Sequence, residues 1–145
     1  MKLKKVISGG QTGADQAGII EAYRLGLETG GTMPRGWKTE NGPNPAFGKA
    51  YGLVESASSD YKTRTRENVA NSDVTLWFGT VGSPGFKCTE RATKDYGKRF
   101  VVNPDSGLVF DLAHMYEVFN IAGNRESTNP GVVNLVKLGF SLLTK

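Results

Sequence analysis

The chain has 145 residues, of which 38% are hydrophobic, and a formal net charge of +4. This length suits one domain with a substantial core. A single cysteine, Cys88, excludes an internal disulfide and a thiolate metal cluster, and a single histidine, His114, argues against a zinc site. The charge favours an anionic partner, but no basic stripe with interleaved aromatics indicates nucleic-acid binding. No apolar run approaches membrane-spanning length and the N-terminus lacks a signal-like apolar segment, so we expect a cytoplasmic protein without membrane contact.

The first predicted element is a strand over residues 3–7, which ends at a glycine-rich turn. A helical pattern follows, with Ala17, Ile20 and Tyr23 on one stripe. Strand, glycine-rich turn and helix form a phosphate-binding geometry, because glycines admit the ligand and free amides at the helix start attract an anion. The spacing matches neither G-x-G-x-x-G nor a Walker A motif, and helix capping alone would also explain the threonine and the aspartate. The candidate ligand-binding residues of this turn are Gly9, Gly10, Gln11, Thr12, Gly13 and Asp15.

The next part of the chain has little regular pattern. Residues 27–32 predict a weak second strand, and Pro34 and Arg35 follow it as candidate ligand-binding residues. Arg35 suits an anion ligand and a solvated surface charge equally well. Residues 37–52 show no periodicity, and a segment this long inside a small domain is usually functional or disordered, so we expect a lid or pocket wall.

A helix is predicted over residues 60–70, after a short strand at residues 53–55 and a cap at Ser58 or Ser59. Two arginines of this helix cannot face the same way. Arg64 is better placed to reach a pocket at the helix start, whereas Arg66 fits a solvated basic face.

The second half of the chain continues the alternation of strands and helices. Residues 74–78 form the clearest strand, which is expected to be buried on both faces, and a second glycine-rich turn follows it. We expect helices over residues 86–96 and 108–115, and strands over residues 98–102 and 117–122. The pattern predicts a single α/β domain, residues 1–145, with an open, mainly parallel sheet whose polar turns converge on one edge. The second turn adds the candidate ligand-binding residues Gly82, Ser83 and Gly85.

A terminal helix that opens near Pro130 carries more apolar residues than one core-facing stripe needs. A symmetric partner would cover the excess, so we expect a homo-oligomer. The alternative is that the helix packs under the segment 37–52, which has aromatic residues of its own, Phe47 and Tyr51. The apolar positions are Val132, Val133, Leu135, Val136, Leu138, Phe140, Leu142 and Leu143.

Three blocks of the sequence resemble motifs of a known family, and they occur in the same order as in that family. Residues 7–15, I-S-G-G-Q-T-G-A-D, resemble the opening motif of the putative molybdenum carrier family, a group of Rossmann-like domains related to lysine-decarboxylase-like and cytokinin-activating (SLOG-type) proteins. Residues 61–73 resemble its Y-x-x-R-T-x-x-N-x-x-x-S-D segment, and residues 120–127 resemble N-V-A-G-P-R-E-S, with Asn124 in the proline position. The middle turn departs from the family, because residues 83–89 lack the second glycine of G-G-T-x-x-T.

The resemblance implies a Rossmann-like three-layer fold and a small anionic ligand that carries phosphate and is nucleotide-like or pterin-like. A nucleotide or a molybdenum cofactor is thus the candidate ligand, although no ligand set for molybdenum itself is visible. A carrier, a sensor and a protein that sequesters a nucleotide-derived signal all fit these residues. The ligand-binding residues that the resemblance implies are Tyr61, Arg64, Thr65, Asn120, Gly123, Arg125 and Ser127.

The competing function is that of a nucleotide hydrolase. Relatives of the cytokinin-activating type resemble phosphoribohydrolases and carry P-G-G-x-G-T-x-x-E, whose glutamate acts at the ribose. When this motif is laid on the chain from Pro84, its acid falls on Ala92, and Glu90 lies about 200° around the helix from that position. Acid–base catalysis needs a carboxylate within hydrogen-bond reach. We therefore interpret the chain as a binding protein, with N-glycosidic cleavage of a nucleotide as the alternative.

Overall fold

The computed structural model describes residues 1–144, and in them strands and helices alternate along most of the chain. The strands are β1 Lys5–Ser8, β2 Glu28–Gly30, β3 Thr32–Met33, β4 Lys38–Thr39, β5 Gly42–Pro43, β6 Val54–Glu55, β7 Val74–Phe78, β8 Arg99–Val102 and β9 Val118–Gly123. The helices are α1 Ala14–Arg24, α2 Pro45–Ala50, α3 Tyr61–Ala70, α4 Pro84–Tyr96, α5 Ser106–Met115 and α6 Val132–Gly139.

Five strands form the central sheet in the order β2-β1-β9-β7-β8, and every neighbouring pair runs parallel. The last strand, β9, lies between β1 and β7, so Asn120 pairs with both Ile7 and Thr75. All five residues of β7 are buried, as predicted for a strand covered on both faces. The carboxyl ends of β1, β9 and β7 therefore lie side by side, at the place where ligands bind in open α/β sheets.

Helices cover both faces of this sheet, which confirms the Rossmann-like three-layer α/β fold. Helix α6 packs against α1, α5 and β7, whereas α3 and α4 pack against each other and α4 against β8 and β9. The main core combines apolar residues of β1, β7 and β9 with those of α1, α5 and α6. Its largest members that are fully buried include Phe78, Phe119, Leu76, Leu112, Ile121, Val109 and Val132.

The weak second strand is split in two at Gly31. Its φ of +120° is strained for L residues, and a Cβ there would lie 2.1 Å from the carbonyl oxygen of Ser8. The chain therefore leaves the central sheet after β2, and β3 pairs instead with β6 in a small parallel sheet. The prediction of one strand over residues 27–32 was wrong because it took no account of this close approach.

The segment 37–52, predicted to lack periodicity, holds two short strands and a helix. Strands β4 and β5 form an antiparallel hairpin, with Lys38 opposite Pro43, and α2 follows. Three aromatics of the segment pack against a second apolar cluster, which consists of Ile19, Met33 and Leu53. They are Trp37, Phe47 and Tyr51.

Two local predictions about helices were wrong. The cap of α3 is Asp60, whose carboxylate accepts a hydrogen bond from the amide of Thr63 at 2.9 Å, and not Ser58 or Ser59. In α1, Ile19 is buried while Tyr23 is 61% exposed, because the core lies one residue around the helix from the predicted stripe.

The apolar excess of the terminal helix is only partly explained by burial. Val132, Val136, Phe140 and Leu143 are buried, but Leu135, Leu138 and Leu142 are 46%, 66% and 52% exposed. The alternative prediction, that the terminal helix packs under segment 37–52, was wrong, because the aromatic residues of that segment pack on the second apolar cluster instead. Leu135 and Leu138 lie on the exposed side of α6, and Leu142 lies just after the helix.

Candidate functional site

A cavity of about 430 Å³ opens beside the carboxyl ends of β1, β7 and β9. This volume lies in the range of small-molecule sites. The cavity joins three parts of the sequence that were predicted separately, namely the first glycine-rich turn, helix α3 and the end of β9. The predicted ligand-binding residues that line it are Gly9, Gln11, Asp15, Tyr61, Arg64, Thr65, Gly85, Asn120, Gly123 and Arg125.

Eight other predicted ligand-binding residues lie outside this lining, and several have visible structural roles. Ser83 caps α4 by accepting a hydrogen bond from the amide of Phe86 at 3.2 Å. The exposed Arg35 donates its amide hydrogen to the carbonyl of Ser58 at 2.8 Å. The full set outside the lining is Gly10, Thr12, Gly13, Pro34, Arg35, Gly82, Ser83 and Ser127.

An ion pair between Asp15 and Arg64 lies in the cavity wall. Nη1 of Arg64 is 3.0 Å from Oδ2 of Asp15, and the two side chains are only 12% and 6% exposed. Burial raises the pKa of Asp15 above its ordinary value, while the adjacent Arg64 guanidinium acts in the opposite direction. A Cβ on Gly9 would lie 1.4 Å from Nη1 of Arg64, so glycine is needed there for this arginine position.

Amides of the first glycine-rich turn have internal partners. The amide of Gly10 donates to Oγ of Ser8 at 3.2 Å, and that of Gln11 donates to Oδ2 of Asp15 at 3.3 Å. Helix α1 begins after Gly13 without a side-chain cap, so neither Thr12 nor Asp15 serves as its cap. The aspartate is an internal anion for this turn, and it holds Arg64 against the turn.

Two buried donors in the cavity wall have no hydrogen-bond partner. They are Nε of Arg64 and Nε2 of Gln11. A buried donor without an acceptor is costly, and a ligand that supplies an acceptor would remove this cost. Because both unpartnered groups are donors, they favour a ligand with acceptor oxygens.

Positive charge gathers around the ring of Tyr61. The guanidinium carbons of Arg64 and Arg125 lie 5.3 and 5.2 Å from the ring centroid, and Nζ of Lys38 lies 4.5 Å from it. Asp15 is the only carboxylate among the described residues that line the cavity. This part of the cavity therefore has the charge to bind an anion.

The remaining lining residues were missed by the sequence prediction. Trp77 and Ala122, which pair across β7 and β9, form an apolar wall beside Cys88. Ile121 also lines the cavity, but its side chain packs against Gly18 of α1. Asn68 shares a helical line with Arg64, a signal that could have placed it, and it exchanges two hydrogen bonds with the backbone of Thr32. The residues of β7 and β9 in the lining have no feature in the sequence that distinguishes them from ordinary core residues. The full set missed is Lys62, Asn68, Trp77, Pro84, Cys88, Thr89, Ile121 and Ala122.

Asn124, which replaces the family's proline, joins two turns at the edge of the cavity. Its Oδ1 accepts a hydrogen bond from the amide of Thr80 at 2.6 Å. The residue is buried, and its own carbonyl accepts from the amide of Ala14 at 3.2 Å. The substitution thus ties the turn after β7 to the turn after β9.

Glu40, at the tip of the β4–β5 hairpin, forms a clasp with the turns at the cavity mouth. Its carboxylate accepts hydrogen bonds from the hydroxyls of Ser127 and Thr12. Its amide donates to Oε1 of Gln11 at 2.8 Å. The hydroxyl donors from Ser127 and Thr12 lower the pKa of Glu40 below its ordinary value. Both hydroxyls, predicted to bind ligand, therefore contact the protein's own carboxylate.

We expect the clasp to weaken in acid. Since the pKa of Glu40 is lowered in the folded state, its contribution to stability is full above the ordinary glutamate pKa and is lost as pH falls through the folded value. Thermal unfolding of the wild type and of Glu40→Gln across this range measures the effect. The difference in Tm should be largest near neutral pH and should shrink in acid. A difference that does not vary with pH would show that the carboxylate charge does not hold the hairpin.

The donor set does not fit a metal ion held by protein side chains. Within residues 1–144 there is no group of three or more His, Cys, Asp or Glu side chains that could hold one. The unpartnered donors of Arg64 and Gln11 instead fit oxygen acceptors. A cofactor that reaches this cavity would be held through its oxygens or its phosphate.

Comparisons with known proteins agree with this fold. The model of the family described as "Circularly permutated YpsA SLOG family" matches residues 6–142. The crystal structure of a "Putative molybdenum carrier protein" from Syntrophus aciditrophicus SB is similar, with a TM-score of 0.82 and 30% sequence identity over 97% of this chain and 94% of that one. No curated protein has significant similarity to the chain. The resemblance found in the three sequence blocks is thereby confirmed.

Proposed function

Since the chain belongs to the circularly permuted YpsA SLOG family, we propose that it is a non-catalytic binding protein for a phosphorylated, nucleotide-like or pterin-like small molecule. It would act as a carrier, a sensor or a protein that sequesters a nucleotide-derived signal. The name of the similar S. aciditrophicus protein supports the carrier role and a molybdenum cofactor as one candidate ligand.

The observation that carries this proposal is the charge of the cavity around Tyr61. Arg64 and Arg125 lie on its ring within a cavity that has one carboxylate, and that carboxylate is already paired. The Nε of Arg64 still lacks an acceptor. We place the phosphate there rather than on the first glycine-rich turn, whose amides at Gly10 and Gln11 have partners. The apolar wall at Trp77 suits a planar ring system.

Among the described residues that line the cavity, none offers the hydrolase alternative a carboxylate that is free to act as the general base. The position of the family glutamate holds Ala92, which is fully buried, and Glu90 is not part of the cavity wall. Asp15 lines the cavity but binds Arg64 at 3.0 Å. Incubation with nucleoside monophosphates tests the difference, because a binding protein returns the nucleotide intact while a hydrolase releases free base and ribose phosphate.

Matched ligand pairs test the proposed phosphate site. Equilibrium dialysis would compare adenosine and guanosine 5′-monophosphates, and a phosphorylated pterin, with their dephosphorylated forms. Hydrogen bonds to charged groups contribute about 1.5–3 kcal/mol, so at least one phosphorylated member should bind about tenfold or more tightly than its partner. Equal affinity within every pair would contradict the proposal.

Assembly is a separate prediction, and it depends on exposed leucines of α6 and of the residues that follow it. We propose that Leu135, Leu138 and Leu142 pack against a second copy, because exposed apolar patches mark interaction sites and two-fold dimers are the commonest oligomers. Leu135→Glu should lower the mass measured by light scattering at micromolar concentration. The matched control is Asn134→Glu, which adds the same charge at the neighbouring exposed position of α6. A monomeric wild type, or equal masses for all three proteins, would overturn the prediction.

Location is a further expectation. No helix in the part of the chain that the structure describes is long and apolar enough to cross a membrane. We propose a cytoplasmic protein that binds a small anion and has no nucleic-acid partner. Cell fractionation with an antibody against the chain would check this location.

A further inference from the structure

The ring of Tyr61 has a third cation, which comes from outside the elements that build the cavity. Nζ of Lys38 lies 4.5 Å from the ring centroid, closer than the guanidinium carbons of Arg64 and Arg125. Lys38 belongs to β4, which pairs with β5 in the hairpin within segment 37–52. It has no counterpart among the motif residues that indicated the family.

Two of the three cations around Tyr61 have no carboxylate in direct contact with them. Arg64 is paired with Asp15, but in residues 1–144 no carboxylate oxygen lies within 4.0 Å of a charged nitrogen of Lys38 or Arg125. Arg125 interacts electrostatically with Glu40 without forming such an ion pair. Like charges that share one ring repel each other, and a cation–π contact at an exposed site contributes only about 0.5–1 kcal/mol. An anion between the cations would turn this repulsion into attraction.

The position of Lys38 depends on the clasp two residues away. Glu40 binds Thr12, Ser127 and Gln11, so the tip of the hairpin is held to the turns after β1 and β9. Inside the hairpin, Oγ1 of Thr39 donates to the carbonyl of Gly42 at 2.8 Å and accepts from the amide of Asn41 at 3.1 Å. The two residues that bind the carboxylate of Glu40, Thr12 and Ser127, are not part of the cavity wall.

We propose that Lys38 is a third cationic ligand for the anionic end of the bound molecule, and that Glu40 is the positioning residue that holds it at Tyr61. This inference rests on the proposed function and assigns it a residue from the hairpin. A phosphate beside Tyr61 would then contact Arg64 from α3, Arg125 from the turn after β9 and Lys38 from the hairpin. Three cations suit a group with two or more negative charges better than a single carboxylate.

Calorimetric titration of the full chain with inorganic pyrophosphate tests the role of Lys38. Lys38→Met keeps the length of the side chain and removes its charge, and we expect binding to weaken about tenfold. The matched control is Lys49→Met, which removes the same charge from an exposed position on α2 and should leave affinity unchanged. Added salt should reduce the effect of Lys38→Met, because the substitution removes an electrostatic attraction between Lys38 and pyrophosphate, which salt screens.

A double-mutant cycle separates positioning from general destabilisation. Glu40→Ala should weaken pyrophosphate binding in the wild-type background and should have no further effect in the Lys38→Met background. A residue with a merely structural role would weaken binding equally in both backgrounds, and that result would overturn the positioning role of Glu40.

The outcomes distinguish this inference from the function on which it rests. If Arg64→Ala loses pyrophosphate binding while Lys38→Met binds as tightly as the wild type, the assignment of Lys38 is wrong and the anion site stands. If the wild type binds no pyrophosphate at millimolar concentration, the anion site and the assignment of Lys38 both fail.

Discussion

Replacing Arg64 with alanine should weaken binding of a phosphorylated ligand at least tenfold. Truncating one partner of a buried, hydrogen-bonded charge pair typically costs about 2–5 kcal/mol. The variant removes the paired Nη1, the unpartnered Nε and one cation beside Tyr61. Isothermal titration calorimetry with the tightest member of the matched ligand pairs measures the change.

Two controls separate lost recognition from lost stability. Arg66→Ala removes an arginine from the same helix, but Arg66 pairs with Asp95 on the surface and lies outside the cavity, so affinity should be unchanged. Arg64→Ala also leaves the carboxylate of Asp15 buried without its cation, which destabilises the fold. Adding Asp15→Asn should restore stability without restoring affinity. Full affinity in Arg64→Ala would remove this arginine from the site.

Gly13→Ala should be among the most destabilising single substitutions in the chain. The φ of Gly13 is +85°, and a Cβ would lie 2.4 Å from the carbonyl oxygen of Asn124 and 2.7 Å from the amide nitrogen of Glu126. Both contacts are backbone atoms, so the turns after β1 and β9 would have to separate. We expect a loss of about 4 kcal/mol or more in the free energy of unfolding, because glycine backbone effects and strain at an unusual φ are among the few mechanisms that give losses of this size.

Gly36 provides a matched control for this prediction. Its φ is +86°, but no atom lies within 4 Å of a Cβ built there. Gly36→Ala should therefore cost only the conformational strain of a positive φ, about 1–3 kcal/mol. Urea unfolding gives the free energy of unfolding of both variants. The difference between their losses is the part that is due to the contacts of the added Cβ at Gly13. Equal losses would contradict the view that Gly13 is required by the close approach of the two turns.

The fold could be predicted from the sequence because its strongest signals are local. The apolar run at residues 74–78 and the glycine-rich turns mark where strands end, and parallel strands bring such turns to one edge. The close approach of Gly31 to Ser8 carries no local signal, so the split of the second strand could not be foreseen. The same holds for the helix and hairpin within residues 37–52, which depend on contacts with distant residues. Phe47 of the helix packs on the second apolar cluster, and Glu40 of the hairpin binds Thr12 and Ser127.

The candidate site was predictable only in part, because its key contacts join distant parts of the chain. Motifs indicated Asp15 and Arg64 separately, but their ion pair spans 49 positions and changes the role of the first turn. Thr12 and Ser127 have polar side chains in loops, which is typical of ligand contacts, yet both donate to Glu40. Lys38 gave no signal, because its proximity to Tyr61 exists only once the hairpin has folded.

Mass spectrometry of the small molecules that heat releases from the purified protein tests the central claim most directly. We predict one intact, phosphorus-containing compound with a nucleotide or pterin ring, present in wild-type preparations and depleted in Arg64→Ala. Its intact release would also separate binding from hydrolysis, which would leave free base and ribose phosphate. A released ligand that contains no phosphorus, or one equally abundant in Arg64→Ala, would contradict the account.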